Sequence, residues 1–292
     1  MLLLSPQNFK DYELIDCGNF EKLERFGQAI IRRPEPQAVW PKKFSEEEWK
    51  KRTNASFNQT GSHKGEWQRA ATFRDPWSIE YVLGPKKLKF KLALTNFKHV
   101  GLFPEQASNW QYIFEKASGL KSENPKVLNL FAYTGAASLA AKAAGADVTH
   151  VDSVKQVVGW ANDNMQLSGL DDIRWVVEDA LKFVQREGRR MKKYQGILLD
   201  PPAYGIGAKG ERWKLEEMID ELLKGCAEIL DEEDNFFILN SYSLGFSSLI
   251  IENLVQAHFP YASNYEFGEL FLPATSGVKL PLGVFGRFSS VK

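Results

Sequence analysis

The sequence is poor in cysteine, contains no long apolar run and carries no net charge, and each absence excludes a class of protein. Its 292 residues include two cysteines, Cys17 and Cys226, too few and too far apart for a disulfide framework. The four histidines show no metal-ligand spacing, so no metal site is expected. No segment approaches the roughly 18 apolar residues of a membrane span. With 43% apolar and 25% charged residues, the composition is typical of a globular protein of the reducing cytoplasm.

The charges are unevenly distributed along the chain. Residues 1–100 contain 18 Lys and Arg against 12 Asp and Glu, whereas residues 101–292 contain 19 against 25. A basic half can guide a polyanion to one face of a protein, although solvated lysines need no partner. Cations and tryptophans interleave there at Arg32-Arg33, Trp40–Lys43 and Trp49–Arg52. They predict either a surface that stacks on unpaired RNA bases or a small tryptophan core, and the sequence leaves both open.

Residues 1–95 are predicted to form a β-rich domain that could bind the substrate or RNA, with residues 96–292 as a second domain. Short runs punctuated by Gly, Pro and Asp predict its strands. These are Tyr12–Cys17, Gln28–Arg32, Gln68–Phe73, Ser78–Leu83 and Leu88–Leu94. Ser45 followed by Glu48 predicts a capping box, in which each side chain binds the other residue's backbone N–H at the start of a helix.

The second part of the chain alternates between strand-like runs and helical stretches. Four of the runs end in glycine or polar residues, at Lys126–Phe131, Val148–Val151, Trp175–Val177 and Gly196–Leu199. A fifth strand is predicted at Phe236–Asn240, and a terminal hairpin at Tyr265–Leu272 and Gly283–Ser289. Apolar periodicity predicts helices at Gln106–Gly119, Ala136–Ala144, Val154–Leu167, Ala180–Arg190, Leu215–Leu230 and Leu249–His258. This order predicts an α/β fold whose parallel sheet has a ligand site at the carboxyl ends of its strands.

The first strand-to-helix loop, Phe131–Gly135, contains one glycine instead of the three of a pyrophosphate-binding loop. A nucleoside without phosphates, such as S-adenosylmethionine, does not need the three-glycine loop. Asp152 follows the next strand and is placed to bind ribose hydroxyls, unless it only caps a helix. Glu178 or Asp179 follows the third strand and is placed to read an adenine. The ordered set predicts a nucleoside pocket and makes a nicotinamide oxidoreductase a distant alternative.

These segments resemble the class I S-adenosylmethionine-dependent methyltransferases. Within that class they resemble the bacterial large-subunit ribosomal-RNA methyltransferases, a family that includes cytosine-5 enzymes with an N-terminal RNA-binding domain. The motifs that carry the resemblance are Val100–Gln106, Leu128–Gly135, Asp152-Ser153, Glu178-Asp179-Ala180 and Asp200-Pro201-Pro202. The resemblance implies a Rossmann-like sheet of seven strands, the last one antiparallel. It also implies that S-adenosylmethionine is bound by Phe103, Glu105, Gln106, Asn129, Phe131, Ala132, Tyr133, Thr134, Gly135, Asp152, Ser153, Glu178, Asp179, Ala180 and Asp200.

The reaction centre is predicted at Asp200, Pro201, Pro202 and Tyr204. The two prolines fix φ and remove two N–H donors, which leaves a rigid edge of acceptors suited to an amino or ring N–H group. Asp200 could orient the acceptor or take its proton, and Tyr204 could stack on a base. The alternative is that Pro201-Pro202 only ends a strand and that Tyr204 packs in the core.

One departure from the family concerns the nucleophile. The cytosine-5 enzymes have cysteines just after the fifth strand, whereas this chain has Ser241 and Ser243 there. An unactivated serine is a far weaker nucleophile than a thiolate, and Cys226 is predicted to be a core residue on the apolar stripe of a helix. The sequence therefore favours methyl transfer to a nitrogen of an RNA base, with ribosomal RNA as the partner, over cytosine C5. Transfer to an oxygen, methylation of a protein or small molecule, and a non-catalytic cofactor- or RNA-binding role stay open.

Overall fold

The computed structural model describes residues 1–61, 64–207, 210–243 and 245–291, and the chain divides into two compact units. The sheet unit contains residues 1–4, 108–270 and those from Gly283 onward. The front unit contains residues 5–107 and 271–282. The chain thus passes between the units several times, whereas the sequence predicts a single boundary near residue 95. A separate substrate-binding domain at residues 1–95 stays a prediction.

The front unit is rich in β-structure. Strand β1 (Leu2–Leu4) belongs to the sheet unit, and the front unit follows with β2 (Tyr12–Gly18), β3 (Glu21–Phe26), β4 (Ala29–Pro34), α1 (Glu46–Arg52), β5 (Ala55–Gln59), β6 (Gly65–Arg69), β7 (Trp77–Leu83) and β8 (Lys86–Leu92). Strands β2 to β6 form one sheet in chain order, and β7 pairs with β8. The predicted strand Gln68–Phe73 is wrong, because β6 ends at Arg69 and the chain then turns.

Strand β3, which the residue pattern does not predict, carries charges that the fold buries. Glu24 is fully buried and binds Arg33 of β4 at 2.6 Å, while Lys22 lies 3.2 Å from Glu35. Burial alone would raise the pKa of Glu24, but Arg33 and Lys22 lower it to about 2. A run of charged residues is typical of a solvated surface, so the sequence does not indicate a buried strand here. The strand can be buried because Arg33 and Glu35, outside β3, pair with its charges.

Helix α1 begins with the predicted capping box. Glu48 N donates to Ser45 Oγ at 3.3 Å, and Ser45 N donates to Glu48 Oε2 at 3.0 Å. Trp49 is fully buried, its Nε1 donates to Asp16 at 2.9 Å, and Lys42 Nζ lies 4.0 Å from its ring centre. Trp49 therefore fills the core of the front unit and cannot stack on an RNA base.

The sheet unit has eight strands with helices between them. Its remaining elements are α2 (Ala107–Gly119), which starts in the front unit, β9 (Lys126–Leu130), α3 (Ala136–Ala143), β10 (Asp147–Asp152), α4 (Lys155–Leu167), β11 (Ile173–Val177), α5 (Ala180–Arg189), β12 (Gly196–Leu199), β13 (Tyr204–Ile206), β14 (Arg212–Lys214), α6 (Leu215–Ile229), β15 (Phe236–Ser241), α7 (Ser248–His258), β16 (Glu266–Pro273) and β17 (Lys279–Ser289). The strand order is β1-β16-β17-β15-β12-β9-β10-β11, and β13 pairs separately with β14.

The sheet has the predicted parallel core and an antiparallel last strand. Strands β15, β12, β9, β10 and β11 are parallel neighbours, whereas β17 runs antiparallel to β15. Strand β1 adds an eighth strand to the expected seven and pairs in parallel with β16. A glycine is required at this contact, because a Cβ on Gly268 would lie 1.9 Å from Leu2 O.

The central strands are mostly apolar, as expected for strands that are covered on both faces. Every residue of β12 and β15 is buried. The core beside them includes Phe183 of α5, Leu222 and Cys226 of α6, and Val255 of α7. Cys226 is thus a core residue, as predicted. None of the described helices is long and apolar enough to cross a membrane.

We expect Ser45→Ala to lower the free energy of unfolding of the front unit by about 1 kcal/mol, because the first turn of α1 loses its cap. Urea unfolding followed by tryptophan fluorescence would measure the change. Ser45→Thr keeps a capping hydroxyl and should behave like the wild type. Equal losses in both variants would contradict the capping role.

Candidate functional site

The loops that follow β9, β10, β11 and β12 meet at one edge of the sheet, because parallel neighbours in register end together. They line a shallow cleft that is partly open to solvent. Seven residues predicted from the sequence line it: Phe131, Asp152, Ser153, Glu178, Asp179, Ala180 and Pro202. The structure therefore brings the polar ends of these strands to one place.

The loop after β9 is held in an unusual backbone conformation. Phe131, Tyr133 and Gly135 have φ values of +54°, +48° and +87°, in the left-handed region that side chains disfavour. Gly135 is also close-packed, since a Cβ there would lie 2.9 Å from the Ala161 side chain. Asn164 of α4 donates to Thr134 O at 2.9 Å and fixes the loop from below. Strain of this kind persists only where the surroundings enforce it, and it is common at binding sites.

The Asp152 carboxylate connects the first two loops of the cleft. Oδ2 accepts a hydrogen bond from Tyr133 N and Oδ1 accepts one from Val154 N, each at 2.9 Å. Burial raises the pKa of Asp152, and these backbone N–H groups oppose the rise. Ser153 N–H is a third backbone group that hydrogen-bonds to this carboxylate. A carboxylate has about four lone-pair sites, so acceptor capacity remains for a ligand. The two oxygens of one carboxylate suit a pair of neighbouring hydroxyl groups.

Glu178 and Asp179 are each held by a partner on α5. Asp179 is the N-cap of the helix and accepts a hydrogen bond from Lys182 N at 3.0 Å. Both oxygens of Glu178 accept from Nη1 of Arg186. The two carboxylates therefore form a fixed acidic wall of the cleft.

A hairpin that the sequence analysis missed forms the remaining wall. Gly205, Ile206, Gly207, Glu211 and Trp213, on or beside β13 and β14, line the cleft. Trp213 Nε1 donates to Pro202 O at 2.7 Å, and its ring centre lies 4.7 Å from that of Phe131. Alternation on both sides of Gly207 and Gly210 was the signal that could have predicted this hairpin.

Asp200 stands at the end of β12, next to the cleft. Asn240 Nδ2, at the end of the neighbouring strand β15, donates to Asp200 Oδ1 at 3.4 Å. Asp200 is surface-exposed, although protein atoms crowd around its carboxylate. This crowding raises the pKa of Asp200, the Asn240 hydrogen bond lowers it, and the balance is a pKa of about 6. The carboxylate is therefore charged at neutral pH and close to its midpoint in mild acid.

Other predicted residues lie outside the cleft lining. Asn129 is buried within β9, where its Nδ2 donates to Ser138 Oγ at 2.9 Å, so it supports the strand. Phe103, Glu105 and Gln106 belong to the front unit, at and beside a short 3-10 helix, and their contact with a cofactor stays a prediction. Ala132, Tyr133, Thr134 and Gly135 shape the first loop, Pro201 is buried, and Tyr204 is 56% exposed.

No thiol reaches the site. Cys17 and Cys226 are fully buried, and burial raises the pKa of both thiols. Ser241, the last residue of β15, is 2% exposed, and its Oγ has no hydrogen-bond partner among the described residues. Within the described part of the chain, no cluster of His, Cys, Asp and Glu could hold a metal ion.

The sequence is similar to known methyltransferases. The model of a family described as S-adenosylmethionine-dependent methyltransferase matches residues 64–251. The ribosomal RNA large subunit methyltransferase K/L of Shewanella frigidimarina is 30% identical over 171 residues, 57% of this chain and 23% of that protein. Its counterpart from Shewanella loihica is 32% identical over 198 residues, 64% of this chain and 27% of that protein. The chain spans about a quarter of the length of these curated relatives.

Solved structures agree with these matches. The S-adenosylmethionine-dependent methyltransferase from Agrobacterium tumefaciens is 37% identical, with a TM-score of 0.92 over 99% of this chain and 94% of that chain. A methyltransferase complexed with S-adenosylhomocysteine and one from Streptococcus mutans each have a TM-score of 0.72 at 16% identity, over 97% of this chain and 76% of theirs. At that identity the likeness shows the fold alone.

We expect Asp200→Asn to stabilise the folded protein above pH 6, by about 1 kcal/mol after allowance for solvent screening. The native carboxyl has a raised pKa, so its contribution to stability is present at low pH and is lost as the pH rises through that pKa. Chemical unfolding at pH 7.5 and at pH 4 would measure the gain, which should vanish at the lower pH. Asp171→Asn, at an exposed site, should change neither value. A variant that is less stable than the wild type at pH 7.5 would contradict the assignment.

Proposed function

The chain belongs to the S-adenosylmethionine-dependent methyltransferase family, and from this premise we propose that it methylates a nitrogen atom of an RNA base. Its cofactor is S-adenosylmethionine. The observation that carries the proposal is the position of Asp200, an exposed residue directly after β12, two residues before Pro202 of the cleft lining and four before the exposed Tyr204. A flat base with an N–H group fits such an edge.

The cleft suits the cofactor because it offers acceptors and no phosphate-binding loop. Asp152 accepts backbone hydrogen bonds from Tyr133, Val154 and Ser153 and keeps acceptor capacity for ribose hydroxyls. Phe131, Ala180 and Trp213 supply apolar walls for the adenine, with the acidic wall of Glu178 and Asp179 beside them. When bound, S-adenosylmethionine supplies a methyl group on a positively charged sulfur.

Asp200 would orient the acceptor and take its proton. Its charged carboxylate accepts a hydrogen bond from an amino or ring N–H, which aligns the nitrogen lone pair for in-line attack. S-adenosylmethionine would supply the methyl group to that nitrogen and leave as S-adenosylhomocysteine, and Asp200 or water would take the N–H proton. Tyr204, 56% exposed, offers a ring on which the base can stack.

The buried serine and thiols favour nitrogen over cytosine C5. Methylation at C5 needs a nucleophile that first adds to the ring, and a thiolate is suited to that step. Ser241 and Ser243 occupy the positions of the family's cysteines: Ser241 is buried, and Ser243 is partly exposed but carries a hydroxyl in place of a thiol. The Cys226 thiol lies in the core with a raised pKa. Methyl transfer to nitrogen requires no covalent enzyme intermediate.

The exposed cations of the front unit support an RNA substrate. They form a smaller basic surface than the sequence predicts, because some of the predicted arginines bind carboxylates of the same unit. Arg32 binds Glu21 and Glu46, and Arg33 binds the buried Glu24, so these arginines are engaged internally. Exposed cations occur at Lys43, Lys50, Lys51 and Arg52. Cations of this kind contact phosphates and make binding sensitive to salt. The names of the curated relatives favour ribosomal RNA, a substrate of the cytoplasm.

We expect Asp152→Ala to weaken binding of S-adenosylmethionine by at least about 1.5 kcal/mol, roughly tenfold, because two charge-assisted hydrogen bonds are lost. Titration calorimetry with S-adenosylmethionine, S-adenosylhomocysteine and NAD would measure it, and NAD should not bind. Asp147→Ala removes an exposed carboxylate from the other end of β10 and should bind normally. Wild-type affinity in Asp152→Ala would remove this residue from the site.

The proposed reaction is tested by transfer of labelled methyl groups to ribosomal RNA from cells that lack the protein. We expect a methylated base nitrogen, and we expect Asp200→Ala to lower turnover at least about a hundredfold while cofactor affinity changes less than threefold. Label in protein or small molecules but not RNA would overturn the RNA assignment. A methyl group on cytosine C5 would overturn the nitrogen assignment, and cofactor binding without any transfer would indicate a binding protein.

A further inference from the structure

A line of buried polar side chains leads from Asp200 into the sheet unit. Asn240 Nδ2 donates to Asp200 Oδ1 at 3.4 Å, and Asn109 Nδ2 donates to Asn240 Oδ1 at 3.3 Å. Arg287 Nη1 donates to Asn109 Oδ1 at 3.3 Å, and its Nε donates to Glu266 at 2.7 Å. Asn109, Asn240 and Arg287 are 3%, 3% and 7% exposed.

The strand register explains why these residues meet. Leu199 of β12 is opposite Leu239 of β15, so Asp200 and Asn240 follow side by side. Arg287 of β17 is opposite Ile238, two residues before Asn240, which places Arg287 and Asn240 on the same face of the sheet. Helix α2 supplies Asn109 and, one turn later, Tyr112, whose ring centre lies 4.0 Å from the Arg287 guanidinium.

The two ends of the line fix the direction of every hydrogen bond in it. Arginine can only donate, so Asn109 must turn its oxygen towards Arg287 and its amide nitrogen towards Asn240. Asn240 accepts through its oxygen and therefore presents its own N–H₂ to Asp200, which accepts it as a carboxylate. The two asparagines have no alternative orientation that keeps all three bonds.

We propose that Arg287 and Asn109 act through Asn240 as positioning residues, which hold the Asp200 carboxylate in one orientation towards the substrate. Hydrogen bonds in such a chain polarise one another, so the arginine strengthens the last bond without touching Asp200. The inference rests on the proposed role of Asp200 in methyl transfer. A line that only joined α2 to the sheet would not need to end on this carboxylate.

Charged groups stand at both ends of the line. Burial and the Asn240 hydrogen bond are the causes of the shift in the Asp200 pKa. At the far end, Glu266 pairs with Arg287, and burial raises the pKa of Tyr112, so its phenol stays neutral. The three N–H···O distances between Asp200 and Arg287 exceed the 2.9 Å or so of a strong hydrogen bond.

The first test measures turnover of the full-length protein. We expect Asn109→Leu and Arg287→Gln to lower kcat about tenfold while KM for RNA and affinity for S-adenosylmethionine stay within about twofold. Glu266→Gln is the matched control, because it removes the ion pair at Arg287 and leaves the donor to Asn109 in place. It should retain wild-type kcat. Wild-type kcat in both test variants, or a parallel loss of kcat and cofactor affinity, would overturn the proposal.

The second test does not depend on turnover. The side-chain amide signals of Asn240 in an NMR titration should follow the ionisation of Asp200 and should stop titrating in Asp200→Ala. In Asn109→Leu and Arg287→Gln we expect the midpoint to rise by about half a pH unit, because the bond to the charged form is weaker. An unchanged midpoint in both folded variants would overturn the positioning role. A shifted midpoint in a protein that transfers no methyl group would refute the proposed function and retain the network.

Discussion

The cleft depends on the hydrogen bond that the Asp152 carboxylate accepts from Tyr133 N. This bond connects the loop after β9 to the loop after β10, while Val154 N and Ser153 N hold the same carboxylate from within its own loop. Tyr133 has a positive φ, so the bond belongs to the left-handed conformation of the first loop. The bonds that hold the loops therefore also fix the orientation of the Asp152 carboxylate.

The site contains groups that oppose stability, and the apolar sheet beneath it offsets them. Asp200 is a carboxylate whose pKa is raised by burial, the Ser241 hydroxyl is buried without a described partner, and Tyr133 occupies a strained conformation. Each costs stability of the order of 1 kcal/mol or more. Strands β12 and β15, which end at the site, are buried along their whole length. The destabilising groups therefore lie at the strand ends and leave the packing of the strands intact.

Local patterns predicted the parallel sheet, its helices and the acidic strand ends, because apolar periodicity and turn residues act over a few positions. What they missed depends on contacts between distant residues. Strand β1 is three residues long and exists through its pairing with β16. Strand β3 is charged and is stabilised by partners such as Arg33. The sequence did not predict the positions of Trp213 or of the line from Asn109 to Arg287. No neighbouring residue indicates which strand end they lie beside.

The burial of the residues at the end of β15 bears on the absence of the family's cysteines there. A serine in place of a cysteine could still act if an adjacent base activated it and if it reached the substrate. Ser241 meets neither condition, since it is 2% exposed and its hydroxyl has no described partner. Ser243 is partly exposed, so only the weak nucleophilicity of an unactivated hydroxyl counts against it. The residue before Ser241, Asn240, donates to Asp200. Under the proposed function, the end of β15 thus orients an acceptor carboxylate, which is what a nitrogen with a transferable proton requires.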